Sequence, residues 1–123
     1  MTQPALVAVV DDDVSVRESL PDLLADAGWR VEAFASAEAF LDARAQARTH
    51  CLILDIGLPG LSGPELHEEL LRRGSVVPTV FISARLDDRI GPRLMAAGAV
   101  AVLAKPFSVA ALVDAVAAAL RTR

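Results

Sequence analysis

Polar and apolar positions along this chain follow two different periods. Four stretches, Ala5–Val10, Cys51–Leu54, Thr79–Ile82 and Ala99–Ala104, are short, apolar and largely β-branched. Runs of that length and type predict strands buried on both faces of a parallel sheet. Residues 29–34 predict a fifth strand. Between the strands the period changes to that of a helix. Val16, Leu20, Leu23, Leu24 and Ala27 recur at helical spacing up to Gly28. Pro21 falls inside that pattern and should kink the helix or shift its start, because it removes the bond to the Arg17 carbonyl. Ser36 reads as the cap of a helix over 37–47. Pro64 reads as the first position of a helix that runs to Arg73 and stops at Gly74. A fourth helix over 87–97 contains Gly91-Pro92, so it should be short or irregular and regular only after Pro92. Ser108 caps a fifth, with Val109, Leu112, Val113, Val116 and Leu120 on one face. Five strands alternating with five helices predict an α/β fold, a parallel sheet with helices on both faces.

Each of the four apolar runs ends on chemistry. Asp11 and Asp12 follow the first, Asp55 the second, Ser83 the third and Lys105 the fourth. Ligands of open α/β sheets bind beyond the carboxyl ends of the strands. If these four strands are neighbours, three carboxylates, a hydroxyl and an ammonium converge, a set suited to a metal and a phosphoryl group. Each residue also has a plain alternative. One Asp between a strand and a helix is most often a cap, Asp55 and Ser83 could end strands in turns, and Lys105 could be solvated. Three successive acids, Asp11 to Asp13, repel one another, and a cation is their natural counterweight.

Composition narrows the field. At 123 residues, 54% hydrophobic and 4% aromatic, the chain predicts one domain over residues 1–123 with an aliphatic core. A net charge of −4 and the lack of a basic stripe argue against direct contact with nucleic acid. No apolar stretch approaches the ~20 residues that span a bilayer, and Met1-Thr-Gln-Pro4 has no secretory pattern, so a soluble cytoplasmic protein is expected. Cys51, the single cysteine, lies in an apolar run and reads as a small buried hydrophobe. Other chemistries lack parts. The glycines match no phosphate-binding loop, His50 and His67 have no zinc-type neighbours, and no Gly-x-Ser-x-Gly elbow is present. His67 reads as a solvated residue of the third helix.

The segments Val9-Val-Asp-Asp-Asp13, Leu54-Asp-Ile-Gly-Leu-Pro-Gly60, Leu61-Ser-Gly63, Phe81-Ile-Ser-Ala84, Ala97-Gly-Ala99 and Ala104-Lys-Pro-Phe107 together resemble a response regulator receiver domain, most of all its FixJ-type branch. The resemblance covers essentially the whole chain. It implies a doubly wound, flavodoxin-like (βα)5 fold with strand order 2-1-3-4-5. It implies that Asp55 accepts a phosphoryl group from a sensor histidine kinase or phosphotransfer protein. Mg²⁺ would be held by Asp12, Asp55 and the Gly57 backbone carbonyl, with Asp11 acting mostly through water. Ser83 and Lys105 would bind the phosphoryl oxygens, small Ala84 would leave room beside them, and a cis peptide before Pro106 would aim Lys105. The chain would then be a phosphorylation-controlled binding module acting on a downstream protein or effector domain, with a phosphorylation-dependent dimer left open. It would catalyse only its own phosphorylation and dephosphorylation.

Two positions depart from or qualify this pattern. The family's switch aromatic lies three residues before the lysine, and here that position is Val102. Output would then depend on ordering of residues 86–97 rather than on a ring flip. Arg85 could either shield the acyl phosphate from water or point to solvent. Two rival readings complete the set. One is a receiver-fold scaffold that binds partners without phosphorylation. The other is a HAD-type phosphatase, disfavoured because its second Asp would fall on Gly57.

Overall fold

A computed structural model describes residues 3–121. Its elements run β1 (Leu6–Val10), α1 (Val14–Asp26), β2 (Arg30–Phe34), α2 (Ala37–Asp42), a 3-10 turn (Ala45–Ala47), β3 (Cys51–Asp55), α3 (Gly63–Arg72), β4 (Thr79–Ser83), α4 (Ile90–Ala96), β5 (Ala101–Ala104) and α5 (Val109–Arg121). The strands form one parallel sheet in the order β2-β1-β3-β4-β5. This is the flavodoxin-like arrangement expected from the sequence.

The period of two along each strand sorts the core into two layers. Val7, Val9, Cys51, Ile53, Val80 and Ile82 face Leu20 and Leu24 of α1 and Leu112 and Val116 of α5. Ala8, Val10, Leu52, Leu54 and Phe81 face Phe40 of α2, Leu66 and Leu70 of α3 and Leu94 of α4. The three central strands are buried on both sides, and each large side chain removed from water there is worth about 1.5–3 kcal/mol. The edge strands differ: β2 and β5 are only partly covered. Burial pushes the Cys51 thiol up to about 12, so it is an inert packing group.

α1 starts at Val14, where the Asp13 side chain accepts from the Ser15 amide, and runs through Pro21. Three local expectations are corrected. α2 ends at Asp42 instead of reaching Ala47, after which Arg44 adopts φ 52° and a 3-10 turn follows. The break lets Phe40 and Ala45 both reach the core. On an unbroken helix they would point about 140° apart. Gly91 and Pro92 lie within the first turn of α4 rather than before its regular part. A proline costs little there, since first-turn amides have no partner within the helix. Val109, assigned to the buried face of α5, is 50% exposed.

Candidate functional site

The order of the strands reverses at β1, so β1 and β3 diverge into helices on opposite faces of the sheet. A crevice forms at such a switch point. Asp11 and Asp12 leave β1 there, Asp55 ends β3, Ser83 ends β4, and Lys105 follows β5. All five line one cleft of about 280 Å³, together with Asp13, Gly57, Ala84 and Arg85.

The three successive aspartates have three different roles. Asp11 is fully buried, and its carboxylate accepts from the Asp13 amide at 2.9 Å and from Lys105 Nζ at 2.8 Å. Its backbone is fixed as well: the amide donates to the Phe34 carbonyl at 3.1 Å, and its carbonyl accepts from Arg17 Nη1 at 3.0 Å. Asp12 is exposed. Asp13 is the plain cap of α1. Asp55 is 7% exposed, with Oδ1 3.6 Å from Lys105 Nζ. Carboxylate oxygens of Asp11, Asp12 and Asp55 all lie within 4.8 Å of one another.

This crowding marks the protonation energetics. Burial, then the negative field of Asp11, raise the Asp55 pKa above the usual carboxylate range; Lys105 opposes them and Asp12 adds to them. Burial alone would lower the Lys105 pKa. The hydrogen bond to Asp11 and the fields of Asp11, Asp55 and Asp13 outweigh it and hold the amine above its ordinary value. Three hard oxygen ligands within 4.8 Å of one another, one of them open to solvent, form a donor set that suits Mg²⁺, which prefers oxygen ligands and keeps several waters.

Ser83 is buried, and its Oγ accepts from the Arg85 amide at 3.0 Å. The Ser83 carbonyl accepts from the Lys105 amide at 2.8 Å, tying two expected site residues together. The Lys105–Pro106 peptide is cis, as expected. Arg85 is exposed and also borders the cleft. Val102 is paired with Phe81 and half-buried against the same core layer.

Some contributors escaped the sequence reading. Gly63 begins α3 so close to β3 that a Cβ would sit 2.2 Å from the Asp55 carbonyl oxygen. Its amide donates to the Ile56 carbonyl at 3.3 Å. Ser62 and Glu65 form a capping box at the same point. That box was readable as Ser-x-x-Glu, whereas the need for glycine at 63 depends on how α3 meets β3. His67 is not solvated: it is 7% exposed and meets the Phe81 ring edge-on, with centroids 5.4 Å apart. Burial lowers its pKa.

The described residues thus form a parallel five-stranded sheet with an acidic cluster at its switch point and a lysine after the last strand. The model for the response regulator receiver domain matches residues 7–117, and the chain belongs to that family, the receiver domains of two-component response regulators. It is 44% identical over 115 residues to nodulation protein W of Bradyrhizobium diazoefficiens, covering 94% of this chain and 51% of that protein. It is 40% identical to the transcriptional regulatory protein FixJ of Azorhizobium caulinodans over 98% of this chain and 57% of that one. The crystal structure of FixJ-N superposes with a TM-score of 0.88 at 33% identity, covering 99% and 98% of the two chains. The chain thus spans about half the length of the curated relatives it matches. Among the described residues no helix is long and apolar enough to cross a membrane.

Proposed function

We propose that residues 1–123 act as one receiver domain that takes a phosphoryl group onto Asp55, in a Mg²⁺-dependent reaction, from a phosphohistidine of a sensor histidine kinase or phosphotransfer protein. The carrying observation is convergence: Asp11, Asp12 and Asp55 share one cleft with Lys105, whose Nζ lies 3.6 Å from Asp55. An Asp55 carboxylate oxygen forms the new bond to phosphorus as the bond from phosphorus to the donor imidazole breaks. Asp12, Asp55 and the Gly57 carbonyl would hold the ion directly, and Asp11 mostly through water. When bound, Mg²⁺ supplies neutralising charge and orients an in-line transfer.

The remaining groups receive the product. Ser83 already accepts from Arg85 N, which leaves its hydroxyl proton to donate to a phosphoryl oxygen. Lys105 has the charge and proximity to pair with another. Exposed Ala84 leaves space beside them, and the Arg85 guanidinium stands at the edge of the cleft. The donor protein has an apolar place to rest. Val16, Leu20, Leu23 and Phe107 border a groove that reaches Lys105, with Val14 54% exposed at the start of α1. Drawing in Ser83 would move the segment after β4 and so alter binding of a downstream protein or effector domain, without a ring flip at Val102.

Incubation with acetyl phosphate and Mg²⁺, followed by intact mass, tests this reading. Wild type should gain one phosphoryl mass, and both Asp55→Asn and wild type with excess chelator should gain none. An unmodified wild type would overturn the proposal in favour of a phosphorylation-independent scaffold.

A further inference from the structure

The segment between Asp55 and α3 must present Gly57 at a fixed place, yet its tip is exposed and rich in glycine and proline. Its two ends are well secured, by the Ile56 amide donating to Ile82 O at 3.0 Å and by the Ser62 capping box. Between them Leu58 is buried in the core and Leu61 packs against it, and among the described residues the side-chain hydrogen bond to the tip comes from 23 residues away in sequence. Glu38, in the first turn of α2, accepts from the Leu61 amide at 2.8 Å through Oε2. Gly60 is folded onto the same oxygen: at φ 72°, a Cβ there would be 2.7 Å from Glu38 Oε2. The hydrogen bond from Leu61, then one from Glu38's own amide, hold the carboxyl below its ordinary pKa, against burial and the neighbouring charge of Glu65. Glu38 is placed by the Ser36 cap and by its buried neighbours Ala37 and Phe40.

We infer that Glu38 is a positioning residue of the phosphoryl site, a latch from α2 that holds the Gly57–Leu61 loop in the conformation that binds the metal. This rests on the proposed Mg²⁺ site and adds to it a residue that does not touch it. Loss of the latch should act on metal affinity more than on the fold, because the tethered tip is exposed while the β3 and α3 anchors remain.

The test is a Mg²⁺ titration of the whole chain, read at the Gly57 amide by NMR, for wild type, Glu38→Ala and Glu38→Gln. Glu38→Ala should raise the Mg²⁺ midpoint about threefold to tenfold, less than the ~10–100-fold typical of groups bonded directly to a metal ligand. Its melting temperature should stay near that of wild type, and its Leu61 amide should exchange faster with solvent in the absence of metal. Glu38→Gln keeps an acceptor oxygen, so its midpoint should stay within about twofold of wild type, as expected when hydrogen-bond geometry rather than charge matters. Equal shifts in both variants would assign the effect to charge and overturn the latch. So would unchanged Leu61 exchange in Glu38→Ala. A wild type that shows no Mg²⁺ response at all would overturn the metal reading itself, and the inference with it.

Discussion

Two connections at the carboxyl edge of the sheet, residues 56–62 after β3 and residues 84–89 after β4, border the same cleft but are built differently. The first is stitched to distant parts of the molecule: to Ile82, to Glu38 and, through Gly63, to the β3 backbone itself. Among the described residues, the second makes hydrogen bonds only to near neighbours. Arg85 N donates to Ser83 Oγ, and Arg89 N and Ile90 N donate to Asp87 Oδ1. It leads into α4, which spans seven residues and has no side-chain cap from its first flanking residue. The contrast assigns stillness to the side that bears Asp55 and freedom to the side that bears Ser83. On the proposed reading, a phosphoryl group on Asp55 would meet a fixed acceptor on one side and a less anchored segment after Ser83 on the other.

The most direct way to break the contrast is to put a methyl group on each side. Gly63→Ala forces a Cβ against backbone with no room to yield and should cost about 3 kcal/mol, read as a lower urea midpoint. Gly91→Ala meets nothing within 4 Å and should be neutral or gain up to about 0.5 kcal/mol. A similar loss in both would refute the difference between the two connections.

Amide exchange sharpens it further. Before phosphorylation, amides of residues 86–90 should exchange about tenfold or more faster than those of Ile56 and Gly63, as expected for a locally opening segment. A phosphoryl mimic should slow residues 86–97 and leave 56–63 unchanged. Equal protection of 86–97 in both states would remove the ordering model of output.

The smallest effect concerns His67, the residue of α3 that packs on Phe81 of β4. Burial lowers its pKa, so the fold holds the neutral ring. Its contribution is fully present above the unfolded-state value of about 6.5 and is lost as pH falls through the lowered native value. His67→Leu should flatten the fall in stability as pH drops below about 6.5, measured by urea titration at each pH. A slope equal to that of wild type would contradict this role.

Asp11, Asp12, Asp55, Ser83 and Lys105 were legible because their position depends on one rule, that parallel strands deliver their last residues to a common edge. The strand layers were legible for the same reason, since burial on both faces leaves an unbroken apolar run. What stayed hidden depends on contact between distant elements. Glu38 and Gly63 carry no local mark, because what they meet is decided by how α2 and α3 dock. The break of α2 after Asp42 answers to the burial of Ala45, and His67 was misread because nothing in its own helix tells that Phe81 will cover it. Pro92 shows a milder limit: the same residue breaks a helix or starts one according to a register that differs by a single turn.

The bond between Lys105 and Asp11 has one more consequence, for sequence of arrival. Four carboxylates, Asp11, Asp12, Asp13 and Asp55, line the cleft with Lys105 and Arg85, a formal charge two units negative. A phosphorylated donor is itself an anion, and it would be turned away by such a mouth. On the proposed reading, the divalent ion is therefore an admission requirement: cation first, donor second, with the chance of a productive encounter set by how much magnesium is already in place.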